Sequence, residues 1–289
     1  MTYQQAIETG YRLLLSHQIP DARTDAWLLL SAACGIDRNF YYMHMQDGMD
    51  STEEALYQCF LKRRTRRVPL QYITGEQEFM GLRFHVSPHV LIPRQDTEVL
   101  VAEALKRLRP NMNVLDMCTG SGCIIISIKK YRQDISATAC DISGQALTVA
   151  KENAALNNVP VQFLEGDLFE PVEGAFDMIV SNPPYIPTCE LAGLMPEVRD
   201  FEPRSALDGD ADGIMFYKRI VEGAGKHLKP GGLLLFEIGY DQAAAVSGLM
   251  RQAGYQGIEV IKDLAGLDRV VAGALPQVDK RKEMLCLIN

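Results

Sequence analysis

The sequence predicts an α/β fold in which an open, mainly parallel sheet carries helices on both faces, preceded by a small helical domain. The length of 289 residues suits about two domains at ~150 residues each. Up to about residue 70 the apolar residues recur only at helical spacing, whereas from about residue 95 onward strand-like runs alternate with helical patterns. We therefore divide the chain into an N-terminal helical substrate-recognition domain (1–75), a hairpin linker (76–93) and an α/β domain (94–289).

The first domain is expected to be a bundle of short helices. Pro20 and Asp21 mark a break and restart, and Gly35 marks a stop. The run Ser51-Thr52-Glu53-Glu54 resembles the N-terminal cap of a helix that runs towards Arg67. Because this segment contains no glycine-rich loop and no catalytic constellation, we interpret it as a partner-recognition element.

A hairpin, five strands and intervening helices are expected in the rest of the chain. In the linker, Gly81 and Pro88 interrupt an apolar pattern, which is typical of a short hairpin. The strands are expected at 113–116, 136–141, 161–164, 176–181 and 233–237. The helices with the clearest pattern are expected at 124–130 and 144–157.

Composition excludes several classes of protein. The net charge of −8 and the pI of about 5.2 argue against a dedicated duplex-DNA binder, which needs a basic face for the phosphates. The seven cysteines form no C-x-x-C pair, so we expect no disulfide framework, no metal site and a reducing, cytoplasmic compartment. No run approaches ~18 apolar residues, so no membrane span is expected.

Four polar residues stand where predicted strands end: Asp116, Asp141, Asp167 and Asn182. Ligands of open α/β sheets bind outside the carboxyl ends of the strands, so these residues are expected to form one site.

The first of these positions opens the turn Asp116-Met117-Cys118-Thr119-Gly120-Ser121-Gly122. Its glycines allow backbone N–H groups to approach a ligand closely. A dinucleotide fingerprint would need a third glycine where Ile125 stands, which disfavours a pyrophosphate site. An acid before the turn suits a cationic, amino-acid-like group instead. The alternative is a merely structural turn.

The next two strand ends suit an adenosine. Asp141 follows the glycine turn by about 20 residues, where an acid can accept the ribose hydroxyls. Asp167 and Leu168 offer an acceptor and an apolar face for the adenine. The alternatives are a surface acid for Asp141, and a helix cap with core packing for Asp167 and Leu168.

The loop Asn182-Pro183-Pro184-Tyr185 carries the most specific signal. The prolines remove two N–H donors and keep Asn182 out of the helical region, so the loop presents an amide oxygen and backbone carbonyls beside the flat ring of Tyr185. Two such acceptors match the two in-plane hydrogens of a planar –NH₂ group.

Fixed acceptors of this kind activate a poor nucleophile. The lone pair of an amide nitrogen is delocalised, and drawing both hydrogens towards acceptors returns charge to the nitrogen. Beside an adenosine site, this predicts methyl transfer from S-adenosylmethionine, with Asn182, Pro183 and Tyr185 as the catalytic residues. A nicotinamide-dependent oxidoreductase and an inactive binding module are the weaker alternatives.

At these residues the chain resembles the HemK/PrmC family, the class I methyltransferases that methylate glutamine in peptide chain release factors. The N-P-P-Y loop alone is shared with adenine amino-methyltransferases, which are the main alternative. Further resemblance lies in the segments Pro69-Leu70-Gln71-Tyr72-Ile73-Thr74-Gly75, Phe79-Met80-Gly81, Val90-Leu91-Ile92-Pro93-Arg94, Phe201-Glu202-Pro203-Arg204, Ala206-Leu207 and Asp212-Gly213.

This resemblance implies a Rossmann-like fold with a seven-stranded, mostly parallel sheet. It implies methylation of the glutamine side-chain amide (N5) in the Gly-Gly-Gln motif of class 1 release factors, with S-adenosylhomocysteine as the other product. The helical domain would help dock the release factor, and direct nucleic-acid binding is not expected. The cofactor would be bound by Asp116, Cys118, Thr119, Gly120, Ser121, Gly122, Asp141, Asp167, Leu168 and Asn182, and the glutamine by Asn182, Pro183, Pro184 and Tyr185.

The chain departs from the family pattern in three places. Cys118 replaces a usual glycine, Gln95-Asp96 replaces Pro-Glu, and the tail 277–289 matches no family segment. A basic run at 62–67 leaves two readings open: a solvated helix end favoured by the helix dipole, or a contact with an acidic or RNA surface.

Overall fold

The computed structural model describes residues 1–277, so the tail from residue 278 onward lies outside the described residues. The chain forms two compact units, Met1–Glu76 with Leu194–Phe201, and Gln77–Gly193 with the residues from Glu202 onward. The hairpin therefore lies almost wholly in the second unit, and 194–201 groups with the first. The sequence division does not anticipate that segment, and its three parts remain a prediction.

Helices and strands cover most of the described residues. The helices are α1 (Tyr3–Ser16), α2 (Ala22–Cys34), α3 (Arg38–His44), α4 (Ser51–Arg64), α5 (Leu70–Thr74), α6 (Thr97–Arg107), α7 (Cys123–Tyr131), α8 (Gly144–Leu156), α9 (Pro196–Arg199), α10 (Met215–His227) and α11 (Ala243–Gln252). The strands are β1 (Glu76–Phe79), β2 (Leu82–His85), β3 (Asn113–Met117), β4 (Ser136–Asp141), β5 (Gln162–Glu165), β6 (Phe176–Ser181), β7 (Leu228–Glu237), β8 (Gln256–Lys262) and β9 (Asp268–Ala274).

Local signals set the ends of the helices in the first unit. Gly35 ends α2 in the left-handed conformation, as its position in the sequence predicts. The N-cap of α4 is Asp50, one residue before the predicted cap, and Glu53 completes the capping box. The buried Tyr57 of α4 donates its hydroxyl proton to carbonyl oxygens of α1 and α2, those of Ala6 and Ala26. These bonds join three helices around one apolar core.

The second unit is built on a seven-stranded sheet of order β5-β4-β3-β6-β7-β9-β8. The first five strands in this order are parallel, and β9 pairs antiparallel with both of its neighbours, β7 and β8, so that β8 runs in the same direction as the first five. The mostly parallel sheet predicted above is confirmed. The strand order reverses between β3 and β6, which places their carboxyl ends at the switch point where such sheets bind ligands.

Both faces of the sheet are buried, which explains the nearly continuous apolar runs in its central strands. Val114 and Leu235 pack on one face with residues of α6 and α7, whereas Leu115 and Phe236 pack on the other with residues of α10 and α11. The carboxyl ends of the central strands are therefore held in place by an apolar core on each face of the sheet. No helix among the described residues is long and apolar enough to cross a membrane.

Candidate active site

A cavity of about 450 Å³ opens at the carboxyl ends of the central strands, entirely within the second unit. Its wall includes eight of the predicted cofactor residues, namely Cys118, Thr119, Gly120, Ser121, Asp141, Asp167, Leu168 and Asn182. A volume of this size is typical of pockets for small ligands and cofactors. The strand-end rule therefore brought together residues that line one cavity, and their contacts with a cofactor stay a prediction.

The glycine turn between β3 and α7 needs both of its glycines. Gly120 and Gly122 have φ angles of +55° and +79°, which L side chains rarely adopt. A Cβ on Gly122 would lie 2.8 Å from Ile126 Cδ1 and 3.2 Å from Ala150 Cβ. Gly122 therefore lets the helices α7 and α8 pack closely, and it does not line the cavity.

Asp141 connects the end of β4 to the glycine turn. Its Oδ2 accepts the N–H of Gly120 at 2.8 Å, and its Oδ1 accepts the N–H of Ser143 at 2.9 Å. Burial raises the pKa of Asp141, and these backbone hydrogen bonds oppose the rise. Each carboxylate oxygen can accept a further hydrogen bond, so the side chain can still receive two hydroxyl groups at the cavity wall.

Asp116 lies beneath the turn rather than in the cavity wall. It is fully buried, and its Oδ2 accepts the hydroxyl proton of Thr119 at 2.6 Å. Burial raises its pKa to about 7. Among the described residues its Oδ1 has no hydrogen-bond partner. The predicted contact of Asp116 with a cationic group stays a prediction, whereas its support of Thr119 is present in the structure.

Cys118 occupies the turn with a φ angle of +61°, in the left-handed region that favours glycine. Its side chain lines the cavity together with Cys123 and Cys140. Burial raises the pKa of all three thiols, so none is suited to act as a thiolate nucleophile at neutral pH. The described residues contain no group of three or more His, Cys, Asp or Glu side chains arranged to hold a metal ion.

Asp167 and Leu168 follow β5 and line the cavity, while their contact with an adenine stays a prediction. The carboxylate of Asp167 accepts a hydrogen bond from Arg219 of α10 at 2.8 Å, so part of its acceptor capacity is already used. Leu168 is buried and has a φ angle of +53°.

The four residues of the N-P-P-Y loop differ in their exposure to the cavity. Asn182 and Pro184 line it, whereas Pro183 and Tyr185 do not. Asn182 Nδ2 donates to Thr97 Oγ1 at 3.4 Å. Burial raises the pKa of Tyr185 above its usual range, which keeps the phenol neutral. Contacts of Pro183 and Tyr185 with a substrate therefore stay predictions.

Residues distant in the chain clamp the backbone of this loop. Gln242 Nε2 donates to the carbonyl oxygen of Tyr185 at 2.9 Å, and the N–H of Gly209 donates to the carbonyl oxygen of Ile186 at 2.8 Å. A Cβ on Gly213 would lie 2.4 Å from the Tyr185 oxygen. The Asp212-Gly213 segment carried a family resemblance, but nothing in its composition indicated this close approach.

Sequence reasoning also missed three polar residues around the cavity. Arg94 lines the cavity and forms an ion pair with the buried Glu202, both within segments that carried the family resemblance. Thr97 begins α6 and contacts Asn182. No short motif surrounds Thr97 in the sequence, so no local signal could have found it.

The basic residues of the run 62–67 differ in their exposure to solvent. Lys62 and Arg66 are exposed, as either reading requires. Arg64, in contrast, is buried and bonds Asp25 at 2.7 Å and Glu197 at 3.0 Å, and Arg67 bonds the same Glu197 oxygen at 3.0 Å. Part of the run is therefore an internal ion network of the first unit, which neither reading anticipated.

Comparison with known proteins places these features in a family. Residues 5–75 match the family model described as PrmC N-terminal domain, and residues 95–192 match that of the methyltransferase small domain. The release factor glutamine methyltransferase of Geobacter sulfurreducens is 43% identical over 275 residues, covering 95% of this chain and 97% of the relative. That of Moorella thermoacetica is also 43% identical, covering 93% and 97%.

This chain belongs to the release factor glutamine methyltransferase family. The enzyme is accordingly a methyltransferase that uses S-adenosylmethionine. A crystal structure of a methyltransferase from Pyrococcus furiosus matches with a TM-score of 0.53 and 20% identity, covering 68% of this chain and 90% of that one. This match supports the fold alone.

The cavity of this methyltransferase fits its cofactor in three respects. Asp141 can accept further hydrogen bonds at the wall. Gly120 has no side chain, and no atom lies within 4 Å of a Cβ placed there, so a ligand can approach the backbone of the turn. Apolar surface from Leu168, Ile142 and Phe216 completes the wall. A ribose needs acceptors, and an adenine needs apolar faces, so both parts of the cofactor find suitable partners.

Proposed function

We propose that this enzyme transfers a methyl group from S-adenosylmethionine to the side-chain amide nitrogen of the glutamine in the Gly-Gly-Gln motif of class 1 peptide chain release factors. Two relatives carry the name release factor glutamine methyltransferase, and the alignment with this chain covers 97% of the length of each. Their names support this substrate. The products would be N5-methylglutamine in the release factor and S-adenosylhomocysteine.

The observation that carries the proposal is that a single cavity joins the glycine turn to the N-P-P-Y loop. Asp141 and Gly120 line one part of its wall, and Asn182 and Pro184 another. Bound S-adenosylmethionine supplies an electrophilic methyl group on a sulfonium. A nitrogen held at Asn182 would therefore share one cavity with that group, which is the condition for effective alignment.

The protein side of the reaction is to hold and activate a neutral amide. Asn182 Oδ1 and a backbone carbonyl of the proline pair would accept the two hydrogens of the glutamine –NH₂ group. These dipoles are fixed before the substrate arrives, because Gln242 and Gly209 hold the backbone just after the prolines. They therefore favour the charge that develops on the nitrogen without reorganising.

The partner assignment is part of the same proposal. A glutamine in a protein must be brought to the cavity by a docking surface, and we assign that role to the helical unit, which matches the PrmC N-terminal domain. The net charge of −8 makes a nucleic acid the less suitable partner.

A methyl-transfer assay tests the function. The enzyme is incubated with S-adenosylmethionine carrying a labelled methyl group and with a purified class 1 release factor. We expect label on the release factor, and none when the glutamine of its Gly-Gly-Gln motif is replaced by alanine. Label found on DNA or RNA but not on the release factor would instead establish an adenine amino-methyltransferase.

Replacing Asn182 tests the acceptor role. Asn182→Ala removes one fixed acceptor, so kcat should fall by about 10²–10³-fold, the usual effect of losing one such dipole. Cofactor affinity, measured by titration calorimetry, should change by only a few fold. Gln252→Ala removes an exposed amide in the same unit and serves as the matched control. Full activity of Asn182→Ala would contradict the mechanism.

A further inference from the structure

Asn182 lies beside a buried carboxyl group that the reaction described above does not use. Strands β6 and β7 pair in parallel with Ser181 opposite Phe236, so the next residues along each strand, Asn182 and Glu237, emerge side by side. Glu237 is 2% exposed, at the carboxyl end of β7. It does not line the cavity, so it stands behind Asn182 rather than in contact with a ligand.

The Asn182 amide is bonded on its nitrogen side. Its Nδ2 donates to Thr97 Oγ1 at 3.4 Å, and Thr97 is itself 2% exposed. Both Thr97 and Asn182 lower the pKa of the neighbouring Glu237 carboxyl, whose Oε2 has no hydrogen-bond partner among the described residues. Since an asparagine side chain has one donor group and one acceptor oxygen, the bond from Nδ2 to Thr97 leaves Oδ1 as the atom that can serve the cavity.

We propose that Glu237 and Thr97 are positioning residues that fix the Asn182 amide with its oxygen available to the substrate. This inference rests on the proposed function, in which that oxygen accepts a hydrogen of the substrate amide. The two ends of an asparagine amide have nearly the same shape, so the side chain can turn over at little steric cost. Turned over, it would direct its own NH₂ at the substrate NH₂, two donors facing each other.

The charge of Glu237 makes this orientation sensitive to pH. Burial raises its pKa to about 7, while hydrogen bonds from Thr97 and Asn182 and the charge of Arg269 oppose the rise. Above that pH the carboxylate only accepts, whereas below it a protonated Glu237 also carries a donor that competes for Oδ1. The other titratable or charged groups facing it are Asp96, Arg269, Tyr185, Tyr217 and Cys123.

The experiment compares kcat, KM and the pH profile of four variants of the full-length enzyme acting on a release factor. Glu237→Gln keeps the shape but can present either a donor or an acceptor, and Thr97→Val removes the hydroxyl at constant volume. Thr97→Ser keeps the hydroxyl. Tyr255→Phe removes a buried hydroxyl that has no partner among the described residues and is the control for burial alone.

We expect kcat to fall about tenfold or more in Glu237→Gln and Thr97→Val, the cost of one lost orienting hydrogen bond. The affinity for S-adenosylmethionine should stay within about threefold, because the cofactor contacts of the turn are untouched. Thr97→Ser and Tyr255→Phe should keep most of the activity. The wild-type kcat should decline as pH falls below about 7, and this decline should be absent in Glu237→Gln.

Unchanged kcat in both Glu237→Gln and Thr97→Val would overturn the inference, as would an unaltered pH profile in Glu237→Gln. If Glu237→Gln fails to fold, as judged by circular dichroism, the comparison of kcat between Thr97→Val and Thr97→Ser tests the inference by itself. A wild-type enzyme that does not methylate the release factor would overturn the proposed function itself. An active wild type with unaffected variants overturns only the role of Glu237 and Thr97.

Discussion

The two glycines of the cofactor turn show how differently neighbouring residues of the same type are constrained. Gly120 and Gly122 both have positive φ, but a Cβ on Gly120 would meet open space. A Cβ on Gly122 would press on Ile126 and Ala150. Gly120 is thus required only by its backbone conformation, whereas Gly122 is required also by the packing of α7 against α8.

This contrast predicts different costs for the same substitution. Gly120→Ala should lower the free energy of unfolding by about 1–2 kcal/mol, the strain of the left-handed conformation. Gly122→Ala should cost about 1–3 kcal/mol more, because overpacking adds to that strain. Urea denaturation of the two variants against the wild type measures both values. Equal losses would mean that α7 and α8 can move apart without cost.

The same turn shows what a sequence can reveal about single residues. Asp141 and Asn182 were predicted at the site because strand ends converge there, and both line the cavity. Asp116 and Gly122 belong to the same motif yet do not line the cavity, since the geometry of the turn buries the Asp116 side chain and places Gly122 away from the wall. Glu237, far along the chain, was not predicted because its place beside Asn182 follows from strand order and register.

At the scale of elements, an ion network joins α2, α4 and α9 in the first unit. Arg64 contacts Asp25 and Glu197, and its side chain is only 8% exposed. Buried charges are strongly destabilising when left unpaired, even where the intact pair contributes little. The network therefore fixes which segments must be together for the unit to be stable.

Removing the Glu197 charge should destabilise the first unit. Glu197→Gln leaves Arg64 and Arg67 with one carboxylate fewer, and we expect a loss of about 3–5 kcal/mol in unfolding free energy. Glu8→Gln breaks the exposed Arg12–Glu8 pair in the same unit and should cost at most about 0.5 kcal/mol. Fluorescence of Trp27, which belongs to this unit, monitors the denaturation. Similar losses in the two variants would contradict the role of the network.

Most elements were predicted where periodicity is strong, and missed where it is weak. The strands β3, β4, β5 and β6 lie within one or two residues of their expected positions, whereas β7 begins at Leu228 instead of residue 233, and the hairpin ends at His85 instead of residue 93. The last two strands, β8 and β9, were not predicted. β8 is largely exposed and begins beside Gly257, so it lacks the apolar run of a buried strand. Its place depends on pairing with β9, which only the tertiary structure supplies.

At the scale of the whole molecule, the carboxyl groups with shifted pKa fall into two classes. Asp116 and Glu237 are fully buried, and burial raises both pKa values to about 7. The pKa of Asp263 is lowered by backbone N–H groups and by Arg269, and that of Glu103 by Lys106 and Arg107, although both side chains are buried. The two classes make opposite contributions to the pH dependence of stability.

The direction in which stability changes with pH follows from the number of protons bound in the folded and unfolded states. A carboxyl with a raised pKa keeps its proton in the folded state between its unfolded value and about pH 7, so it contributes stability at low pH that is lost as pH rises through this window. Carboxyls with lowered pKa contribute stability above their unfolded values, which is lost only in stronger acid. We therefore expect a higher urea midpoint at about pH 5.5 than at about pH 7.5.

A double variant isolates the source of this dependence. Asp116→Asn with Glu237→Gln removes both groups and should reduce the difference between the two midpoints, measured by circular dichroism. Glu190→Gln with Asp241→Asn removes two exposed charges and should leave the difference unchanged. A difference that survives in the first double variant would assign the effect to other groups.

The placement of residues 194–201 has a consequence for dividing the protein at the level of the gene. The chain passes from the first unit to the second near residue 76, returns for Leu194–Phe201, and leaves again at Glu202. A truncation after residue 76 would thus deprive Arg64 and Arg67 of Glu197 while Arg64 keeps Asp25, and the complementary fragment would carry Glu197 without its arginines. The helical unit is consequently not one contiguous stretch of sequence, since it includes eight residues, Leu194–Phe201, that lie between the two segments of the second unit.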